Sequence, residues 1–177
     1  EVLLDAEPDN TDLLYNLGMA HSDRGSLPRA IALLGRLTDL SPQFANGLVA
    51  LGVAEVRQGR TDQAVTHLRQ ALQHDDANPW AHRNLGAALL RQGEVAAALT
   101  HLRRATELAP VDPQGWFGLA KAAEDDGDLE TADDAYLKVI ELAGFDRMAD
   151  AAREARSRLA HKTFKERTGS PGGPCRG

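Results

Sequence analysis

One stretch of this chain occurs four times. "NLGMAHSDRGS" starts at Asn16, "ALGVAEVRQGR" at Ala50, "NLGAALLRQGE" at Asn84 and "GLAKAAEDDGD" at Gly118, a step of 34 residues each time. A chain that repeats at this period builds one small supersecondary unit over and over. No unit buries its apolar face alone, so the units must stack.

The columns of the repeat keep their chemistry. Leu17, Leu51, Leu85 and Leu119 form one column, and Gly18, Gly52, Gly86 and Ala120 the next, all small. Gly25, Gly59, Gly93 and Gly127 follow, then Ala30, Ala64, Ala98 and Ala132. Leu34, Leu68, Leu102 and Tyr136 make a large apolar column, and Leu37, Ala71, Ala105 and Val139 another. Pro42, Asp76, Pro110 and Gly144 close each unit with a turn former or helix breaker.

Leu14, Leu17, Gly18 and His21 share one face of a first helix. The Gly18 column admits a closely packed neighbour. The Gly25 column ends that helix, because glycine takes positive φ at little cost. Ala30, Leu34 and Leu37 form the inner face of a second helix, which the breaker column stops. The spacing predicts first helices over 11–24, 45–58, 79–92 and 113–126, and second helices over 27–40, 61–74, 95–108 and 129–142. Ala and Leu dominate the apolar residues and aromatics make up only 5%, which favours helix over sheet.

These columns resemble the tetratricopeptide repeat family: a large residue, Leu-Gly, a mid-unit Gly, Ala, Leu or an aromatic, Ala, and Pro, at 34-residue spacing. Pro79–Pro110 is the best copy. In the fourth unit Trp116, Leu119, Gly127, Ala132 and Tyr136 fit, and Ala120 stands where Gly is usual. The resemblance implies an all-α fold, an α-α superhelix (TPR solenoid) of four helix-turn-helix units over 9–144. Residues 1–8 read as the end of a preceding repeat helix, since Leu3 and Pro8 stand 34 residues before Leu37 and Pro42. After Gly144 the pattern fails. Met148, Ala152, Ala155 and Leu159 still make a stripe, so 145–167 reads as a capping helix that covers the last core with one polar face outward. The Gly/Pro-rich 168–177 reads as a disordered tail.

Net charge is −6, which argues against nucleic-acid binding through phosphate neutralisation. The charge is uneven: residues 1–144 carry 12 basic and 22 acidic side chains, and 145–177 carry 8 and 4. Arg153, Arg156, Arg158, Lys162, Lys165 and Arg167 make the last helix basic. Either this is a solvated face or it attracts an acidic partner or a lipid surface. No apolar run reaches the ~20 residues of a membrane span. One cysteine, Cys175, excludes an internal disulfide. The compartment stays open, with a cytoplasmic setting favoured.

Catalytic chemistry finds no support. His67 and His101 share a column, but no acidic or cysteine partner completes a metal site around them, so the histidines read as solvated. The acidic run Glu124–Asp134 lacks calcium-loop spacing, and Asp128 reads as a helix N-cap. No glycine loop joins a strand to a helix for phosphate binding. No serine sits in a nucleophile elbow. The expectation is a chain that is not an enzyme and needs no cofactor or metal.

The resemblance implies that first helices line a concave groove for an extended peptide. The residues chosen for such a site are Asn16, Val49, Val53, Trp80, Arg83, Asn84, Leu90 and Phe117. Trp80 and Phe117 would be apolar anchors and Arg83 a charged donor. Asn16 and Asn84 would offer a donor and an acceptor to a peptide backbone. Alternatively each Asn bonds locally. Tyr15, Met19 and Ala50 stand where the family's clamp for a terminal carboxylate needs Lys, Asn and Asn, and Val49 and Val53 fail one unit on. The expected partner is therefore a protein or peptide other than a clamp ligand. Two functions fit: a non-catalytic interaction scaffold, or the substrate-recruiting region of a larger enzyme, such as a glycosyltransferase of the O-linked N-acetylglucosamine type.

Overall fold

The computed structural model describes residues 7–144 and 146–168, the side chains of 162–168 excepted. The expectations for residues 1–6 and for the tail beyond Thr168 lie outside this range, as do the side chains of Lys162, Lys165 and Arg167 and the whole of Cys175. Among the described residues every regular element is a helix. The elements are α1 (Thr11–Asp23), α2 (Leu27–Leu40), α3 (Ala45–Arg57), α4 (Thr61–His74), α5 (Pro79–Gln92), α6 (Val95–Leu108), α7 (Pro113–Asp126), α8 (Leu129–Ala143) and α9 (Arg147–Thr168). Each expected helix is present, with ends within two residues of those read from the spacing.

The boundaries have local causes. Gly93 caps α5 at φ 79°, a left-handed conformation that an L side chain adopts only with strain. Asn10, Asn78 and Asp112 start α1, α5 and α7, each side chain accepting a backbone N–H of the first turn. Phe44 takes the same place before α3 and makes no such bond. Instead its ring packs edge-on to Tyr15, with centroids 5.4 Å apart. Asp128 caps α8 by accepting from Thr131, as the sequence suggested.

The chain divides into two compact units, 1–110 and 111–177. In the first, α1 packs on α2, α3 on α4 and α5 on α6 as antiparallel pairs, and the pairs stack through α2–α3, α4–α5 and contacts among α1, α3 and α5. Leu14, Ala30, Leu34, Leu37, Leu51 and Ala54 belong to one continuous buried cluster. The small-residue column explains how the helices of a pair approach. A Cβ on Gly18 would lie 2.6 Å from Leu34 Cγ, on Gly52 2.8 Å from Leu68 Cγ, and on Gly86 2.5 Å from Leu102 Cγ. Each Leu side chain occupies the space that a glycine leaves.

In the second unit, α7 packs on α8 and α8 on α9. Tyr136 takes the Leu place and is fully buried. Its hydroxyl donates to Glu124 Oε2 at 2.8 Å. Burial, then that carboxylate, pushes the phenol well above its ordinary value. The inner face of α9 is Ala149, Ala152, Ala155 and Leu159, all buried. This corrects the expected stripe at its first position, where Met148 is only half-buried.

Candidate functional site

A cavity of about 360 Å³ opens in the first unit. Its lining comes from the first helices alone: Tyr15, Met19, Ser22 and Asp23 on α1, Asn46, Val49, Ala50, Val53 and Arg57 on α3, and Trp80, Arg83 and Asn84 on α5. Positions one and two helical turns apart share a helix face. Asn46, Val49, Ala50, Val53 and Arg57 therefore line up along α3, as Trp80, Arg83 and Asn84 do along α5.

Five of the eight chosen residues meet here: Val49, Val53, Trp80, Arg83 and Asn84. The other three do not line the cavity. Asn16 is exposed on α1 and Leu90 is half-buried further along α5. Phe117 lies half-buried in the second unit, in a T-shaped contact with Tyr136, ring centroids 5.8 Å apart. The choice left out Tyr15, Met19, Ser22, Asp23, Asn46, Ala50 and Arg57. The signal for them was available, since all lie on the first helices that the resemblance assigns to a groove, but nothing in the sequence shows which unit hollows out.

Trp80 is 52% exposed, while Val49 is buried. The floor is thus apolar and a large indole stands at the rim. Asn84 Nδ2 donates to Trp80 O at 2.8 Å, the local bond weighed as one alternative. Its Oδ1 then faces no donor among the described residues. Asn46 is the converse. Asn78 Oδ1 accepts from the Ala81 N–H at 3.0 Å, which turns its amide nitrogen toward Asn46 Oδ1, also at 3.0 Å. Asn46 therefore keeps its own N–H₂ for other use. Arg57 Nη1 donates to Ser22 Oγ at 2.9 Å, and Ser22 is 4% exposed.

The histidine reading needs correction. His67 is half-buried and paired rather than merely solvated: its Nδ1 meets Glu55 Oε2 at 2.8 Å, and Glu55 is buried. That hydrogen bond holds the His67 imidazole above its usual value against the opposing effect of burial. His101 pairs with His82, Nδ1 to Nδ1 at 2.9 Å. Because His82 Nε2 lies 3.0 Å from the Asp76 carbonyl, which only accepts, Nε2 carries a proton. One proton is shared between the two Nδ1 atoms. Burial, then His82 and Arg69, lowers His101. No group of three or more potential metal ligands occurs among the described residues.

The basic face of α9 is also more committed than its composition suggests. Arg156 forks onto Asp133, Nε at 2.7 Å and Nη2 at 2.9 Å, which lowers Asp133. Arg153 bonds Asp150 and the Gly144 carbonyl. The concavity beside α8 and α9 is crossed by the Arg156–Asp133 pair. No described helix is long and apolar enough to cross a membrane.

Family models for the tetratricopeptide repeat match residues 1–44, 55–123 and 113–146. Solved structures with this fold include TTC0263, a thermophilic TPR protein of Thermus thermophilus, at 23% identity and TM-score 0.74, covering 89% of this chain and 84% of that one. Pseudomonas aeruginosa PilF matches at 21% identity and TM-score 0.78, covering 88% and 69%. The first TPR of Spaghetti (RPAP3), bound to the HSP90 peptide SRMEEVD, matches at 22% and 0.64, covering 69% and 94%. No curated protein matches in sequence. These likenesses show the fold, an all-α helical-repeat superhelix, and with three models of one family falling along most of the chain, this protein belongs to the tetratricopeptide repeat family.

Proposed function

We propose that this protein is a non-catalytic interaction scaffold and that an extended segment of a protein partner binds the cavity among α1, α3 and α5. In this reading four repeat units span 9–144 and the 145–167 helix covers the last of them. The observation that carries the site is the pairing of an apolar floor, Val49 and Val53, with a half-exposed indole, Trp80, in one concavity. An exposed Trp in a hollow offers a large contact area, and such residues commonly anchor interfaces. Backbone recognition falls to two residues rather than one. The Asn46 amide N–H₂ meets a peptide carbonyl, and Asn84 Oδ1 meets a peptide N–H. Both groups read the main chain, so they hold an extended segment whatever its side chains. A TPR structure holding the peptide SRMEEVD shares the fold and supports the mode.

The test begins by capturing the native partner with immobilised protein and identifying it by mass spectrometry. The double variant Trp80→Ala, Asn84→Ala then weakens the complex by about 2 kcal/mol or more while helicity is unchanged. Full affinity in that variant, with loss of affinity in Gln70→Lys on α4, places the function on the second helices and overturns the reading.

A further inference from the structure

The geometry points to a partner segment that brings a carboxylate side chain to Arg57. This inference rests on the groove reading above and adds the chemistry of its occupant.

Several arginines of this chain are held by carboxylates. Arg36 pairs with Asp9, Arg104 with Glu107, Arg153 with Asp150 and Arg156 with Asp133. Arg57, like Arg60, Arg69 and Arg91, is in no such pair among the described residues, but it alone of these lines the cavity. Its one partner is the neutral Ser22 hydroxyl, and no carboxylate lies within ion-pairing distance among the described residues. Ser22 is nearly fully buried on α1, so the bond ties the end of α3 to a fixed point and holds the guanidinium at the cavity wall. A guanidinium carries five N–H donors in a planar fork. The bond from Nη1 to Ser22 uses one and leaves the fork open. Binding of an apolar segment over Val49 and Val53 removes water from this wall. A neutral segment leaves the Arg57 charge desolvated without a partner, which is costly, and a carboxylate compensates it.

The charged side chains of the lining are few. Arg57 and Arg83 stand against the single acid Asp23, in a chain whose net charge is −6. Arg57 is thus a cation on the cavity lining whose partner there is a neutral hydroxyl, and a cation so placed steers an acidic segment in and turns basic ones away. The charge is assigned to a side chain and not to a chain terminus, because Tyr15, Met19 and Ala50 stand where a clamp for a terminal carboxylate needs Lys, Asn and Asn. The occupant is an extended segment with a large apolar residue against Trp80 and a Glu or Asp near it.

The experiment uses capped nine-residue peptides, acetylated and amidated, with Leu or Phe fixed at the centre. One position at a time is set to Glu, Gln or Lys, and the rest are randomised among small polar residues. Binding to the full chain is read by fluorescence anisotropy. At the preferred position the Glu peptides bind roughly ten- to a hundredfold tighter than the Gln peptides, and the Lys peptides are weaker still. With Arg57→Gln the Glu advantage over Gln disappears while the Gln peptides bind as before. Arg57→Lys keeps part of it. The Glu-to-Gln change is made in the peptide, so the comparison survives even if an Arg57 variant folds poorly. Equal binding of Glu, Gln and Lys peptides, lost on Trp80→Ala, overturns the carboxylate inference and leaves the groove in place. Tighter binding by an uncapped peptide ending in a free carboxylate and lacking Glu also overturns it. Binding that is indifferent to Trp80→Ala removes the groove reading itself, and no binding by any Glu peptide removes the inference.

Discussion

Gly86→Ala tests the packing that holds each helix pair together. The added Cβ would lie 2.5 Å from Leu102 Cγ, 3.0 Å from Cδ2 and 3.2 Å from the Ala98 carbonyl oxygen. Ordinary carbon contacts lie at about 3.5–4.0 Å, so something must move by roughly an ångström. Leu102 is fully buried, and Ala98 O is backbone of α6, so neither yields freely. Overpacking of this kind costs about 1–3 kcal/mol. Alanine returns about 1 kcal/mol through helix propensity, so the net loss is about 0–2 kcal/mol. Leu102→Ala alone leaves a cavity and costs about 2–5 kcal/mol. In the double variant the new methyl enters the space that Leu102 vacated. The two contacts with Leu102 vanish, the milder one with the Ala98 carbonyl stays and the propensity gain remains, so the double is more stable than the sum of the singles by about 1–3 kcal/mol. Urea denaturation followed by circular dichroism measures all four proteins. A control is Gly35→Ala on α2, where a Cβ meets nothing within 4 Å. There the substitution stabilises by about 0.5–1 kcal/mol. Additivity within about 0.5 kcal/mol at Gly86 and Leu102 would refute the close-packed column.

Other outcomes follow from the polar pairs. The raised His67 contributes stability that is fully present below its ordinary value of 6.5 and is lost as pH rises through its folded value. His67→Gln therefore costs most below pH 6.5 and progressively less as pH rises above it, and a pH-independent deficit in thermal melts contradicts this. His101 has the opposite sign. Its lowered value adds stability above 6.5 that is lost as pH falls, so His101→Gln flattens the acid side of the same profile. Tyr136→Phe removes the only hydrogen-bond donor from the buried phenol position and costs about 1–3 kcal/mol, checked by urea midpoints. A stability equal to the parent would mean that Glu124 finds an equivalent partner.

How much of this was legible in the sequence depends on whether a feature recurs at 34 residues. The Leu17, Gly18, Gly25 and Ala30 columns recur because every unit solves the same packing problem, and they delivered the helices and their ends. The cap column Asn10, Phe44, Asn78, Asp112 also recurs, with Phe44 as its exception, and was readable but unread. The pairs that do not recur were opaque. Glu55 stands in a column with His21, Leu89 and Ala123, and His67 in one with Leu33, His101 and Ala135. Their meeting depends on side-chain direction across one helix pair, which no column average reveals. The same holds for Arg156 and Asp133. That the cavity's lining would come from first helices was implied by the family resemblance, but the place where they hollow into a cavity depends on side-chain volume summed over three helices.

Site-specific crosslinking tests the central claim most directly. A benzophenone amino acid replaces Val53 on the cavity wall in one protein and Gln70 on α4 in another, and each is irradiated with the captured native partner. Adducts formed from position 53 and mapped to one partner segment, with none from position 70, are the result predicted here. Adducts from position 70 and none from 53 would contradict it.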